Sequence, residues 1–375
     1  MIQRDVRLAC VFAALAVAAA ACGKSNPDAT DASAAAGDAS AGDTGGGDAA
    51  TPAYCAADPW QGLEACGWPG PANTGPDLSQ CPGGALAVMG SSATPTAIFE
   101  IAQDGTAIEC RKIYGGLHVT ASNVTIRNSS IEYTSGKTGT AANATAPIFV
   151  DDGASATIDH VELDGRDGAH ACIWHQGAAM TAHHVNCHGV DDGVFAWADT
   201  GFSPASGDHV TIDHSYFHDF TTATSNGHED GFQTEGAGEG LIQHNTFALT
   251  TEADSAIAIW NSLKSSTGIV IDDNLMTGGG FTVYAEDYSP NEASPADPGA
   301  PVGGFTVTNV ELTNNKFSTR ASACVGQYGV WFYRAAWPPY EGGPSDGWHR
   351  SGNTVIETGE TVDGGNPHAG TVLCN

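Results

Sequence analysis

The chain has 375 residues, of which 43 are Asp or Glu and only 13 are Lys or Arg, for a formal net charge of −30. That balance excludes nucleic acid as a partner, because phosphate binding needs a basic footprint, and it repels a polyanionic sugar unless a cation bridges the two. Clustered carboxylates on such a chain are suited to Ca2+, which takes oxygen ligands.

Residues 1–22 read as an export signal. Arg4 and Arg7 precede an apolar run from Leu8 to Ala21 that is too short to span a membrane. Ala19-Ala20-Ala21-Cys22 is similar to a bacterial lipobox, which would make Cys22 the lipidated N-terminus. Ordinary signal-peptidase cleavage after one of the alanines is the alternative. Gly23 after the cysteine favours the outer membrane, so the expected location is the bacterial cell envelope, lipid-anchored to the outer membrane or secreted. Residues 23–53, almost entirely Ala, Gly, Asp, Ser and Thr, read as a disordered tether with too little apolar surface to offset its ordering entropy.

Residues 54–96 are expected to form an N-terminal cap stapled by Cys55, Cys66 and Cys81, and 97–375 a single solenoid domain. Eight cysteines follow Cys22, namely these three with Cys110, Cys172, Cys187, Cys324 and Cys374, which suggests up to four disulfides. Cys324 is expected to tie Cys374. A capped solenoid is expected to be a monomer.

The solenoid is read from one phrase written seven times: VTIRNSSI from 124, ATIDHVEL from 156, MTAHHVNC from 180, VTIDHSYF from 210, GLIQHNTF from 240, IVIDDNLM from 269 and VELTNNKF from 310. The anchors Ile126, Ile158, Ala182, Ile212, Ile242, Ile271 and Leu312 recur 24 to 41 residues apart. A unit of this size cannot bury its own apolar face and must stack on its neighbours. Apolar and polar residues alternate within the phrase, so the stacked element is a strand. The fold class is all-β, a parallel β-helix.

A second column falls once per coil at IFV (148–150), IWH (173–175), VFA (194–196), FQT (232–234), IAI (257–259), FTV (281–283) and VWF (330–332). His160, His184, His214 and His244 share a column with Asn128, Asp273 and Asn314. That column is expected to be an inward turn position bonded to backbone, with no metal.

The stretches GGLHVTASNVTIRNSSIEY (115–133), SNGHEDGFQTEG (225–236) and SGNTVIETGETV (351–362) resemble bacterial secreted proteins of the pectate-lyase-like superfamily, many of which carry an H-x-D-G-[IF]-Q motif. The resemblance implies a single-stranded right-handed parallel β-helix. It does not choose among lyases, hydrolases, epimerases and adhesins.

Function has to come from the residues. In the second column's register, Gln176, Trp197, Glu235, Trp260, Tyr284 and Tyr333 form an outward row, and Trp174, Phe195 and Trp331 add aromatic surface. Flat rings suit the C–H faces of sugars, which makes Trp197, Trp260, Tyr284 and Trp174, with Gln233, the expected substrate-binding set. Aromatic packing within the sheet or beneath a loop is the rival reading.

Three residues before the second-column strands that begin at Ile173, Val194, Phe232 and Ile257 come His170, Asp191, Glu229 and Asp254, followed in two coils by Asp192 and Asp230. Carboxylates so close must raise one another's pKa or share a cation, so Asp191, Asp192, Glu229 and Asp230 are the expected Ca2+ ligands. Asp191, Glu229 and Glu235 are expected to point outward. His228, Asp230, Glu235 and Asp191 are the expected catalytic set, with Arg166 as a further base candidate that has a bland alternative, pairing with Asp167. The leading expectation is Ca2+-assisted β-elimination of an acidic polysaccharide, pectate-lyase-like. A glycoside hydrolase using paired carboxylates and a non-catalytic glycan-binding surface protein are the alternatives.

Overall fold

The computed structural model describes residues 51–134, 146–176, 179–196, 209–221, 228–236, 238–260, 265–286, 292–293, 301–302, 307–335, 340–341 and 348–363. Cys22, the expected tether as far as residue 50, Trp197 and Cys374 lie outside these residues.

Among the described residues, twenty-five strands join one sheet coiled as a parallel β-helix. Arg334 and Ala335 pair antiparallel with Glu341 and Tyr340, and Thr354 bridges Thr361 antiparallel. The expected anchors hold residue for residue: Ile126 pairs with Ile158, Ile158 with Ala182, Ala182 with Ile212, Ile212 with Ile242, Ile242 with Ile271 and Ile271 with Leu312. Two further coils extend the array, because Ile108 pairs with Ile126 and Arg350 with Leu312.

The eight-residue phrase is not one straight strand. It bends at its fifth residue, where Asn128, His160, His184, His214, His244, Asp273 and Asn314 all have φ between 46° and 56°. Among residues with a Cβ, Asn, Asp and His tolerate this left-handed conformation best. The bend also resets the alternation: Ile212 is buried, His214 exposed, Ser215 buried and Phe217 buried. Each coil therefore has three strand columns, as in Val210–Asp213, Tyr216–His218 and Asp230–Thr234.

The histidine column consequently faces outward, contrary to the inward placement expected for it. The buried polar stack is one residue further on, at Ser215, Asn245, Asn274, Asn315 and Asn353. Asn245 Nδ2 donates to Asn274 Oδ1 at 3.0 Å, Asn274 Nδ2 to Asn315 Oδ1 at 3.0 Å and Asn315 Nδ2 to Asn353 Oδ1 at 2.9 Å. The same Oδ1 atoms accept backbone N–H bonds from the preceding coil, which satisfies the polar groups of a dry corner. Beside it Phe217 and Phe247 stack with ring centres 4.8 Å apart, and a Cβ at Gly231 would overlap the Phe247 ring.

Residues 54–96 fall into two parts. The first part of this segment lies along the side of the solenoid as a strap. Trp60 Nε1 donates to Ser318 Oγ at 2.9 Å, Trp68 stacks on His244 at 5.1 Å, Gly75 N–H donates to the His184 carbonyl at 2.9 Å, and Cys81 is disulfide-bonded to Cys110. Only then do Ala87–Gly90 and Ile98–Ile101 enter the sheet, pairing with Arg111–Tyr114 and Gly116–Val119. Cys55–Cys66 closes a loop within the strap, and Cys172–Cys187 lies in the core. The expected Cys324–Cys374 pair cannot be placed on the described residues, since Cys374 lies outside them.

Candidate functional site

The third column positions the acidic corner. Ile173 pairs with Val194, Val194 with Phe232 and Phe232 with Ile257, so His170, Asp191, Glu229 and Asp254 do share a row, and Asp192 lies one coil from Asp230. The row is not open to solvent as expected. Asp191, Asp192 and Asp230 are fully buried and Glu229 nearly so, while His170 and His228 are half-buried and Asp254 is exposed.

The centre of the corner is the Asp192–Asp230 pair. The Asp230 N–H donates to Asp192 Oδ1 at 2.9 Å, and Ser255 Oγ donates to Asp230 Oδ1. Asp192 Oδ2 and Asp230 Oδ2 are buried and accept no hydrogen bond among the described residues. Burial pushes the Asp192 carboxyl up to about 6, against the pull of His170. Burial, and next the Asp192 charge, push Asp230 well above the usual carboxylate range. Two like charges in so dry a place hold a proton between them.

His170 is the cation of the corner. Its Nδ1 lies 3.4 Å from Asp191 Oδ2 and its Nε2 3.4 Å from Asp192 Oδ2. Burial opposes its charge, but the hydrogen bond to Asp191 and the Asp192 carboxylate hold its pKa above the usual histidine value. Its ring also packs against Trp174 and Phe195, at 5.5 and 5.7 Å.

A calcium cage fits these residues poorly. Ca2+ takes six to eight oxygens. An imidazole already bridges Asp191 and Asp192 Oδ2, and Asp192 Oδ1 and Asp230 Oδ1 are engaged, so the pair offers one uncommitted oxygen, Asp230 Oδ2.

The aromatic row needs a register correction. Val283, not Phe281, pairs with Ile257, so Tyr284 lies beside Ala258, and the partner of Trp260 is Glu286. Trp331 likewise pairs with Val283, which moves Tyr333 beside Ala285. Trp174 and Phe195 are not an open platform either, being 7% exposed in a small cluster with Ala146, Phe149 and Ala171. The half-open aromatic surface continues on later coils instead. His228 meets Trp260 edge-on at 5.0 Å, Trp260 meets Tyr284 at 6.1 Å, and Phe281 links Tyr284 to the exposed Tyr328. Trp260 Nε1 has no hydrogen-bond partner among the described residues.

Gln233 is buried and donates to Glu235 at 3.3 Å, and Glu235 is half-buried just past the end of its strand. Arg166 does not serve this corner. Its guanidinium binds Glu132, which also binds Lys112 at 2.6 Å, so the expected partner Asp167 gives way to Glu132. Ser255 and the bridging role of His170 escaped the sequence reading. Ser255 carried no signal beyond its register with Asp230.

No family model matches the chain, and no curated protein or solved structure matches it.

Proposed function

We propose that the chain is an exported polysaccharide-degrading enzyme that hydrolyses glycosidic bonds with the Asp192–Asp230 pair. The observation that carries the reading is two buried carboxylates on successive coils, with the Asp230 N–H bonded to Asp192 Oδ1, His170 Nε2 at 3.4 Å from Asp192 Oδ2, and Asp230 Oδ2 accepting no hydrogen bond among the described residues. Neighbouring strands lie about 4.8 Å apart, closer to the roughly 5–5.5 Å separation of retaining glycosidases than to the 6.5–9.5 Å of inverting ones. The protonated member donates to the glycosidic oxygen while the ionised member attacks the anomeric carbon. Water then attacks the glycosyl ester and returns its proton to the first carboxyl, so protons and bonds balance over the cycle. The sugar is held along Trp260, Tyr284, Phe281 and Tyr328, with His228 at the near end.

The finer family likeness, to the pectate-lyase-like superfamily, belongs to the same proposal, as do an outer-membrane lipid anchor at Cys22 and a monomeric state. β-Elimination with His228 as base is the second reading, favoured by the half-buried His228 ring against Trp260. No step of the proposal runs through Ca2+.

The test is the purified full chain incubated with acidic and neutral polysaccharides, read for reducing ends and for ultraviolet absorbance with and without chelator. Reducing ends without absorbance support hydrolysis. A chelator-sensitive rise in absorbance overturns it in favour of calcium-assisted elimination, and retained glycan without product makes the chain a binding protein.

A further inference from the structure

We propose that the outward bend between the first and second strand columns holds two transition-metal ions of the Zn2+ class, one at His183, Asp213 and His214 and one at Asp159, His160 and His184. The backbone builds these sites. In an ordinary strand consecutive side chains point to opposite faces. Here the residue before the bend points outward, and the left-handed residue at the bend turns outward again, at φ 52° for His160, 50° for His184 and 49° for His214. Each coil thus presents two adjacent side chains on the same edge, and register stacks them: Asp159 pairs with His183, and His183 with Asp213.

The resulting array is Asp-His, His-His, Asp-His on three successive coils. His183 contacts Asp213 Oδ1 on the following coil, and His214 Nδ1 lies 3.8 Å from the same oxygen. On the other side Asp159 Oδ1 lies 2.7 Å from His160 Nδ1 and 4.0 Å from His184 Nδ1. The two adjacent histidines of the middle coil therefore serve opposite neighbours. In each group three donor atoms fall within 4.8 Å of one another. A tetrahedral Zn2+ with bonds of about 2.0–2.1 Å wants donors about 3.3 Å apart, a gap that side-chain torsions close. All six side chains are partly exposed, so an ion enters from solvent and keeps one position for water.

Imidazole with carboxylate selects Zn2+, Cu2+ or Ni2+ over Ca2+ and Mg2+. The array ends at the next coil. There His244 Nε2 lies 2.8 Å from the Gly67 carbonyl oxygen and Nδ1 2.8 Å from Asp273 Oδ2, and the ring stacks on Trp68. Two sites are therefore expected and not a continuous ladder of them.

The experiment is calorimetric titration of the chelator-stripped full chain with Zn2+, repeated in excess Ca2+, with Co2+ visible absorption as a second readout. Asparagine is the substitution of choice, because Asn128 and Asn314 already occupy this left-handed column. Wild type should bind two equivalents that Ca2+ does not displace, and the Co2+ form should show tetrahedral bands. His214→Asn should weaken one equivalent by at least about tenfold, His160→Asn the other, and Asp192→Asn neither. Binding of less than one equivalent, displacement by Ca2+, or unchanged titration of the His183→Asn/His184→Asn double variant with a wild-type circular-dichroism spectrum overturns the proposal.

Discussion

Asp230 donates its backbone N–H to Asp192 Oδ1 across 2.9 Å, so the backbone of one coil holds the carboxylate of the coil before it. The pair gains position from this bond but remains dry, and Asp192 is pushed up to about 6 by burial. Between its unfolded value of 3.8 and about 6 the unfolded chain carries the charge and the folded chain does not, so folding binds a proton and stability falls as pH rises across that window, levelling off above it. Asp192→Asn should therefore stabilise the fold at pH 7 by on the order of 2 kcal/mol while lowering turnover by about a thousandfold, the scale of a lost acid–base group. Denaturant midpoints and reducing-end assays on the same preparation check both signs.

Two tryptophans in one column should behave differently. Trp174 is 7% exposed among Phe149 and Phe195, so Trp174→Ala should cost about 3–5 kcal/mol of stability. Trp260 lies half-open between His228 and Tyr284, and Trp260→Ala should raise KM about tenfold with little change in the thermal midpoint. Thermal melts and initial rates on both variants separate the two roles.

The buried asparagine stack should be costly to interrupt. Asn274→Ala orphans the Asn245 N–H and the Ile242 carbonyl, which Asn274 serves at 3.0 and 2.9 Å. At about 1–3 kcal/mol per orphaned group the loss should be about 3 kcal/mol. Asn314→Ala on the exposed neighbouring column should cost less than half of that, and urea unfolding of both compares them directly.

Glu162 should govern the acid limb. A hydrogen bond to His188, opposed by burial and joined by Ser130 and Lys112, holds its carboxyl down to about 2 from 4.5. Its stabilisation is complete above the unfolded value and is lost as pH falls from about 4.5 to about 2. With the side chain about a third exposed, solvent screening leaves about 1 kcal/mol. Thermal midpoints should fall across that window in the wild type more steeply than in Glu162→Gln.

What the sequence made legible was the axial repeat, because every anchor is an apolar residue at the same place in the phrase. The middle column, Tyr216–His218 in its coil, stayed hidden inside the phrase because a left-handed residue inserts one position into the alternation, so Ser215 and not His214 faces inward. The signal was present, in that the fifth position admits only Asn, His and Asp. The Tyr284 register slipped for a related reason. Gly280 looked like the small residue that precedes a core strand, as Gly231 does, yet Thr282 occupies that place and Val283 begins the buried run. The acidic corner was found in sequence but read as solvent-exposed, whereas Asp191, Asp192 and Asp230 are buried, since alternation within a strand does not show what covers its outer face, and Glu229, at φ 58°, sits at a bend.

The strap gives the molecule a temporal order. Trp60 and Ser318, hydrogen-bonded to each other, are 258 residues apart, so the segment that emerges first docks on a coil made almost last. The coils can zip one upon another as the chain appears, but the strap has no landing place until nearly all of them are in line. The earliest part of the fold to be synthesised is therefore the last to be completed, and its docking reports that the whole solenoid has been assembled.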